Sequence, residues 1–296
     1  MRGCNNLGEL YQAGKGVTRD NAMAAQFYFQ ACDGGVAMSC TNLGQLYSDG
    51  KGVIRDPARA ADYYRRACDG SDLLGCSNLG LYYAEGKVLP RDYAKALSLY
   101  NRACDGGEML ACANLGLLYS SGKGVTQDKQ HAFDLYSRAC DGNEMLGCYN
   151  LGVLYSNGVP KPRDPVRAAK LYQQACDGDL ALGCYNLGVA YGEGEGVPRD
   201  LAKAAVLYRK ACDGEEKQGC YNLGYAYRTG EGVPRDLGRA SALFAQACDA
   251  GLATGCYAKA MLTPDRAAAI GWLRKALAID PSDANARKML QALGGK

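Results

Sequence analysis

Residues Gly183 to Gly214 read G-C-Y-N-L-G-V-A-Y-G-E-G-E-G-V-P-R-D-L-A-K-A-A-V-L-Y-R-K-A-C-D-G, followed by a short polar turn. With Cys184 as origin and about 100° per residue, Leu187, Gly188 and Tyr191 fall within about 60° of it, which makes one buried helical stripe. Asn186, Val189 and Glu193 point the other way. The segment Gly194 to Pro198 ends this helix, because Gly suits a C-terminal cap and Pro cannot continue it. Asp200 stands where an N-cap is wanted, and Ala204, Leu207, Tyr208 and Ala211 follow at helical spacing. Asp213-Gly214 closes the second helix, with Gly214 expected to supply the left-handed cap conformation. Small Gly188 and Ala204 let the two helices approach closely.

The pattern recurs along the chain. One cysteine series runs Cys4, Cys40, Cys76, Cys112, Cys148, Cys184, Cys220 and Cys256; a second runs Cys32, Cys68, Cys104, Cys140, Cys176, Cys212 and Cys248. Both repeat every 36 residues without a slip, so helix pairs that cannot bury both faces alone are predicted to stack into an all-α solenoid. Residues 1–280 read as a single solenoid of about eight repeats, the first truncated and the last divergent, and residues 281–296 as a capping helix. Because Met1-Arg2-Gly3 enters the pattern just before its Cys, the chain is expected to be part of a longer array.

Composition narrows the function classes. Lys and Arg number 34 against 31 Asp and Glu, which is no basic footprint for nucleic acid. No apolar run reaches the roughly 18 residues of a membrane span, and Met1 to Leu10 hold no signal-like apolar stretch. The only histidine, His131, leaves little for metal or acid-base chemistry, so no metal and no cofactor are expected.

The run Cys184 to Tyr191, the loop Gly196-Val197-Pro198-Arg199-Asp200 and the segment Ala204 to Gly214 resemble the Sel1-like repeat, itself similar to tetratricopeptide repeats. The cysteines flanking each inter-repeat turn further resemble the cysteine-rich Sel1 subgroup that includes the Helicobacter cysteine-rich proteins. The resemblance implies a right-handed superhelix whose concave face, lined by first helices, serves as a scaffold for protein partners. It also carries an alternative, since some subgroup members bear a penicillin-binding or beta-lactamase label.

Each second-series cysteine precedes a first-series one by eight residues across a chain-reversing A-C-D-G turn, so disulfides are expected for Cys32–Cys40, Cys68–Cys76, Cys104–Cys112, Cys140–Cys148, Cys176–Cys184, Cys212–Cys220 and Cys248–Cys256. Cys4 is left over. This favours a periplasmic or secreted location; reduced, buried thiols in a cytoplasmic protein are the alternative, and zinc is disfavoured because the spacing matches no ligand set.

The Asn two residues after each first-series Cys forms a ladder of Asn6, Asn42, Asn78, Asn114, Asn150, Asn186 and Asn222. Asn donates and accepts, so this row suits the backbone of an extended peptide. The alternative is that it ties adjacent repeats to one another. Selectivity would come from neighbours such as Val153, Val189 and Tyr225 and from Tyr149, Tyr185, Tyr221 and Tyr257, whose earlier counterparts are Asn5, Thr41, Ser77 and Ala113. The expected partner is thus a protein or extended peptide, bound by a monomer with no nucleic acid involved. Catalytic readings are weak. Ser48 to Lys51 and Ser120 to Lys123 match S-x-x-K, but each contains a capping glycine, and S-D-N and K-T-G are absent.

Overall fold

The computed structural model describes residues 1–295, which are helical with no strand among them. Helices alternate as first and second members of each repeat. They are α1 (Arg2–Ala13), α2 (Asn21–Asp33), α3 (Ala37–Asp49), α4 (Pro57–Asp69), α5 (Leu73–Glu85), α6 (Tyr93–Asp105), α7 (Met109–Ser121), α8 (Lys129–Asp141), α9 (Met145–Asn157), α10 (Pro165–Asp177), α11 (Ala181–Glu193), α12 (Leu201–Asp213), α13 (Lys217–Thr229), α14 (Leu237–Asp249), α15 (Ala253–Met261), α16 (Arg266–Ile279) and α17 (Ala284–Ala292). The chain forms two compact units, Met1–Gly147 and a second from Cys148 onward. Within each, a helix packs on its neighbours in sequence, as stacked repeats require.

The helix ends follow the sequence chemistry. The Asp20, Asp56, Asp92, Asp128, Asp164, Asp200 and Asp236 carboxylates cap the second helices, Asp200 accepting from Lys203 N–H at 3.0 Å. First helices up to α13 end on a left-handed glycine, Gly194 having φ 77°, whereas α15 ends on Leu262 at φ −98°. The second-helix cap differs from expectation: Gly214 has φ −85°, and the left-handed residue is Glu215 at φ 65°. Ser71, Asn143 and Asp179 hold the same strained position. Glycine precedes them because a Cβ on Gly214 would stand 2.8 Å from the Ala181 Cβ, so what it provides is close approach.

The core repeats with the sequence. Tyr28, Tyr64, Tyr100 and Tyr136 of the second helices are at most 2% exposed, and each ring lies on the glycine of the N-L-G run in its repeat's first helix. Burying such a ring stabilises by about 1.5–3 kcal/mol, and only glycine leaves room for it. Repeats are tied through the loops as well. Gly196 (φ 74°) passes over α10 so closely that a Cβ would meet the Pro165 carbonyl at 2.0 Å. Arg66, Arg138 and Lys210 donate to the carbonyls of Cys32, Cys104 and Cys176 in the preceding repeat, satisfying orphan groups at helix ends. At the end of the array, the last helix begins at Ala284, capped by Asp283, three residues after the expected start at residue 281, while Asp280 closes α16.

Candidate functional site: the grooves of the second unit

The inter-repeat turns bring the cysteines together. Cys32–Cys40, Cys68–Cys76, Cys104–Cys112, Cys176–Cys184, Cys212–Cys220 and Cys248–Cys256 are disulfides with Cα separations of 4.5–4.8 Å. Cys140 and Cys148 are likewise disulfide-bonded, and Cys4 is a free, half-buried thiol. The bridges are buried, so they serve as staples rather than as exposed redox groups. These pairs suit an oxidising environment.

The asparagine ladder is only partly outward-facing. Asn6 is exposed, but Asn42, Asn78, Asn114, Asn150, Asn186 and Asn222 are half-buried. The reason is visible in the second unit, where the Asn186 side chain faces the hydroxyls of Tyr149 and Tyr172 in the preceding repeat, and Asn222 those of Tyr185 and Tyr208. At Asn186 and Asn222 the ladder thus meets tyrosine hydroxyls of the adjacent repeat.

Tyr149, Tyr185 and Tyr221 are half-buried and pack on the second-helix aromatic of their own repeat, with ring centroids 6.1 Å from Tyr172, 6.3 Å from Tyr208 and 5.5 Å from Phe244 respectively. Burial raises the Tyr149 and Tyr185 hydroxyls, the Glu216 carboxylate adding to both, while the asparagine hydrogen bonds oppose the rise. Burial pushes Tyr208 up to about 12. All remain protonated at neutral pH. In the first unit the counterparts Asn5, Thr41, Ser77 and Ala113 are small and at most 7% exposed, so no aromatic wall forms there.

Two adjoining pockets of about 330 Å³ each result. The first lies among α9, α10 and α11, walled by Tyr149, Val153, Tyr172, Asn186, Val189 and Glu193. The second lies among α11, α12 and α13, walled by Glu193, Tyr208, Asn222, Tyr225 and Glu231. Aromatic faces, amides and carboxylates here can receive a peptide's backbone and side chains. Sequence reading found Asn186, Asn222 and Tyr149 but took Tyr208 for core only and left Glu193 and Glu231 out. The residue before the N-cap Asp, an arginine in most repeats and Gln127 before Asp128, was also missed. Arg199 Nε donates to the Gly192 carbonyl at 3.0 Å, closing the loop across the groove's edge.

The S-x-x-K pairs are not assembled. Lys51 Nζ lies 2.8 Å from Asp49, and Ser48 Oγ accepts from Tyr82. Ser120 Oγ accepts from Lys129 at 3.0 Å rather than from Lys123. No helix among the described residues is long and apolar enough to cross a membrane, and no group of three or more His, Cys, Asp or Glu there is placed to hold a metal ion.

Comparison with known proteins agrees with this architecture. The Sel1 repeat model matches residues 2–36, 37–72, 73–108, 110–144, 146–180, 181–215, 217–252 and 256–278. No curated protein matches the chain. Among solved structures, a protective antigen of uropathogenic Escherichia coli strains displaying an SLR fold is 27% identical with a TM-score of 0.68, covering 99% of this chain. This chain spans 65% of that protein's length. A Sel1 repeat protein from Oxalobacter formigenes is 22% identical with a TM-score of 0.71, covering 82% of this chain and 96% of its own. Helicobacter pylori cysteine rich protein B is 34% identical over 46% of this chain and 97% of its own, with a TM-score of 0.36. With eight repeat matches across nearly its whole length, the chain belongs to the Sel1 repeat family.

Proposed function

We propose that the chain is a binding scaffold that holds an extended segment of another protein along the groove of its second unit, working as a monomer in the periplasm or outside the cell. The observation that carries this is the pair of adjoining pockets walled by Tyr149, Asn186, Tyr208 and Asn222, half-open sites for a chain in extended form. The Sel1 repeat is a scaffold fold typical of protein-interaction proteins, which supports the same reading. The disulfides suit the proposed compartment. The first unit carries its own candidate row, Asn42, Asn78 and Asn114, where Leu81 and Leu117 offer apolar neighbours 40% and 49% exposed.

A photo-crosslinking amino acid in place of Val189, on a groove wall, should capture a partner from the native compartment. The same group in place of Val206, 65% exposed on a second helix, should not. Equal capture from both positions would count against the groove.

A further inference from the structure

The loop after each first helix changes sign along the chain. Just beyond the capping glycine stand Lys15, Lys51, Lys87 and Lys123 in the first four repeats, but Glu195 and Glu231 in the sixth and seventh. In the first unit this lysine can neutralise an acid at the last position of the helix. Lys51 Nζ lies 2.8 Å from Asp49, and Lys87 Nζ lies 3.4 Å from Glu85. Glu193 occupies that last position in α11, and the residue two further on is another carboxylate, Glu195, itself held by Arg163 at 2.6 Å. Glu193 therefore has no ion-pair partner among the described residues. It also sits at the helix C-terminus, where the macrodipole disfavours negative charge.

Glu193 lies on the wall of both pockets, where they meet. Tyr172 walls one side, Tyr208 and Tyr225 the other, and Glu231, also without an ion pair, lies in the second pocket. The one cation in these walls, Arg199, directs its Nε at the Gly192 carbonyl. A carboxylate beside aromatic walls is the chemistry that receives a partly desolvated cation.

We propose that the second unit selects an extended peptide bearing a lysine or arginine, whose cation docks on Glu193 where the pockets meet while flanking residues follow the Tyr and Val walls. This rests on the groove reading above and adds the chemistry of the partner. Glu193 is exposed at a helix end, so Glu193→Gln keeps shape and removes the charge without threatening the fold.

The test presents the whole disulfide-bonded chain to pools of nonapeptides with randomised flanks and a fixed centre of Lys, Arg, norleucine or Glu. The Lys and Arg pools should be retained about tenfold better than the other two, a preference that E193Q should reduce below about twofold with unchanged unfolding behaviour. Equal retention of all pools, or a basic preference that survives in E193Q, would overturn the cation anchor and leave the groove standing. Failure of the wild-type chain to retain any pool would overturn the groove itself.

Discussion

Gly188 of α11 faces the ring of Tyr208 of α12 so closely that a Cβ at Gly188 would stand 2.8 Å from its Cδ1 and Cε1 atoms. The same pairing joins Gly8 to Tyr28, Gly44 to Tyr64, Gly80 to Tyr100, Gly116 to Tyr136, Gly152 to Tyr172 and Gly224 to Phe244, so the first seven repeats each close on one aromatic ring resting on one glycine. A methyl there displaces a buried ring.

Gly188→Ala should therefore lower the unfolding free energy by about 1–3 kcal/mol, the range for overpacking a filled core. Gly271→Ala, inside α16 with nothing within 4 Å of the new methyl, should raise it by about 0.5–1 kcal/mol. Denaturant titration of both variants checks the contrast. Equal effects would mean that the glycine–ring contact does not govern the packing.

Glu215 holds a left-handed conformation at φ 65°, which a residue with a Cβ adopts at a cost of roughly 1–2 kcal/mol. Glu215→Gly should raise the denaturant midpoint despite glycine's greater unfolded-state entropy, which offsets part of the gain. Gly214→Ala, one residue earlier, should lower it through contact with Ala181.

Alkylation under denaturing, non-reducing conditions, followed by mass spectrometry, should label Cys4 alone and leave the i, i+8 peptides linked. Replacing Cys104 and Cys112 with Ala should cost about 2.5 kcal/mol in the chain-entropy model. Reaction of all fifteen thiols in the exported protein would overturn the stapled array.

The buried tyrosines set an alkaline limit. Burial pushes Tyr28, Tyr136 and Tyr208 up to about 12 from the ordinary 10.0, with the Glu9 carboxylate adding at Tyr28. Their contribution is present in full below pH 10, because both states are then protonated. As pH rises from 10 to 12 the unfolded chain ionises first, so stability falls with pH across that window. Tyrosinate absorbance and circular dichroism should report ionisation and unfolding together. A Tyr136→Phe variant should show a shallower decline.

Much of this protein was legible in the sequence. The repeat, the two helices of each unit, the Asp200-type caps and the cysteine pairs all depend on residues near in sequence, whose spacing sets their angle and separation along one local backbone path. The groove was legible only in part. Asn186 reads as outward on its own helix, and only the approach of α9 and α10 sets it against the hydroxyls of Tyr149 and Tyr172. The left-handed conformation falls on Glu215 and not on Gly214, whose missing Cβ instead makes room for Ala181 of a neighbouring helix. Glu193 reads as one more charge at a helix end until the tertiary structure sets it between two pockets with no cation paired to it among the described residues. Periodicity along one helix gives a side chain's direction about its own axis, whereas what it meets there is decided by neighbouring helices brought in by packing.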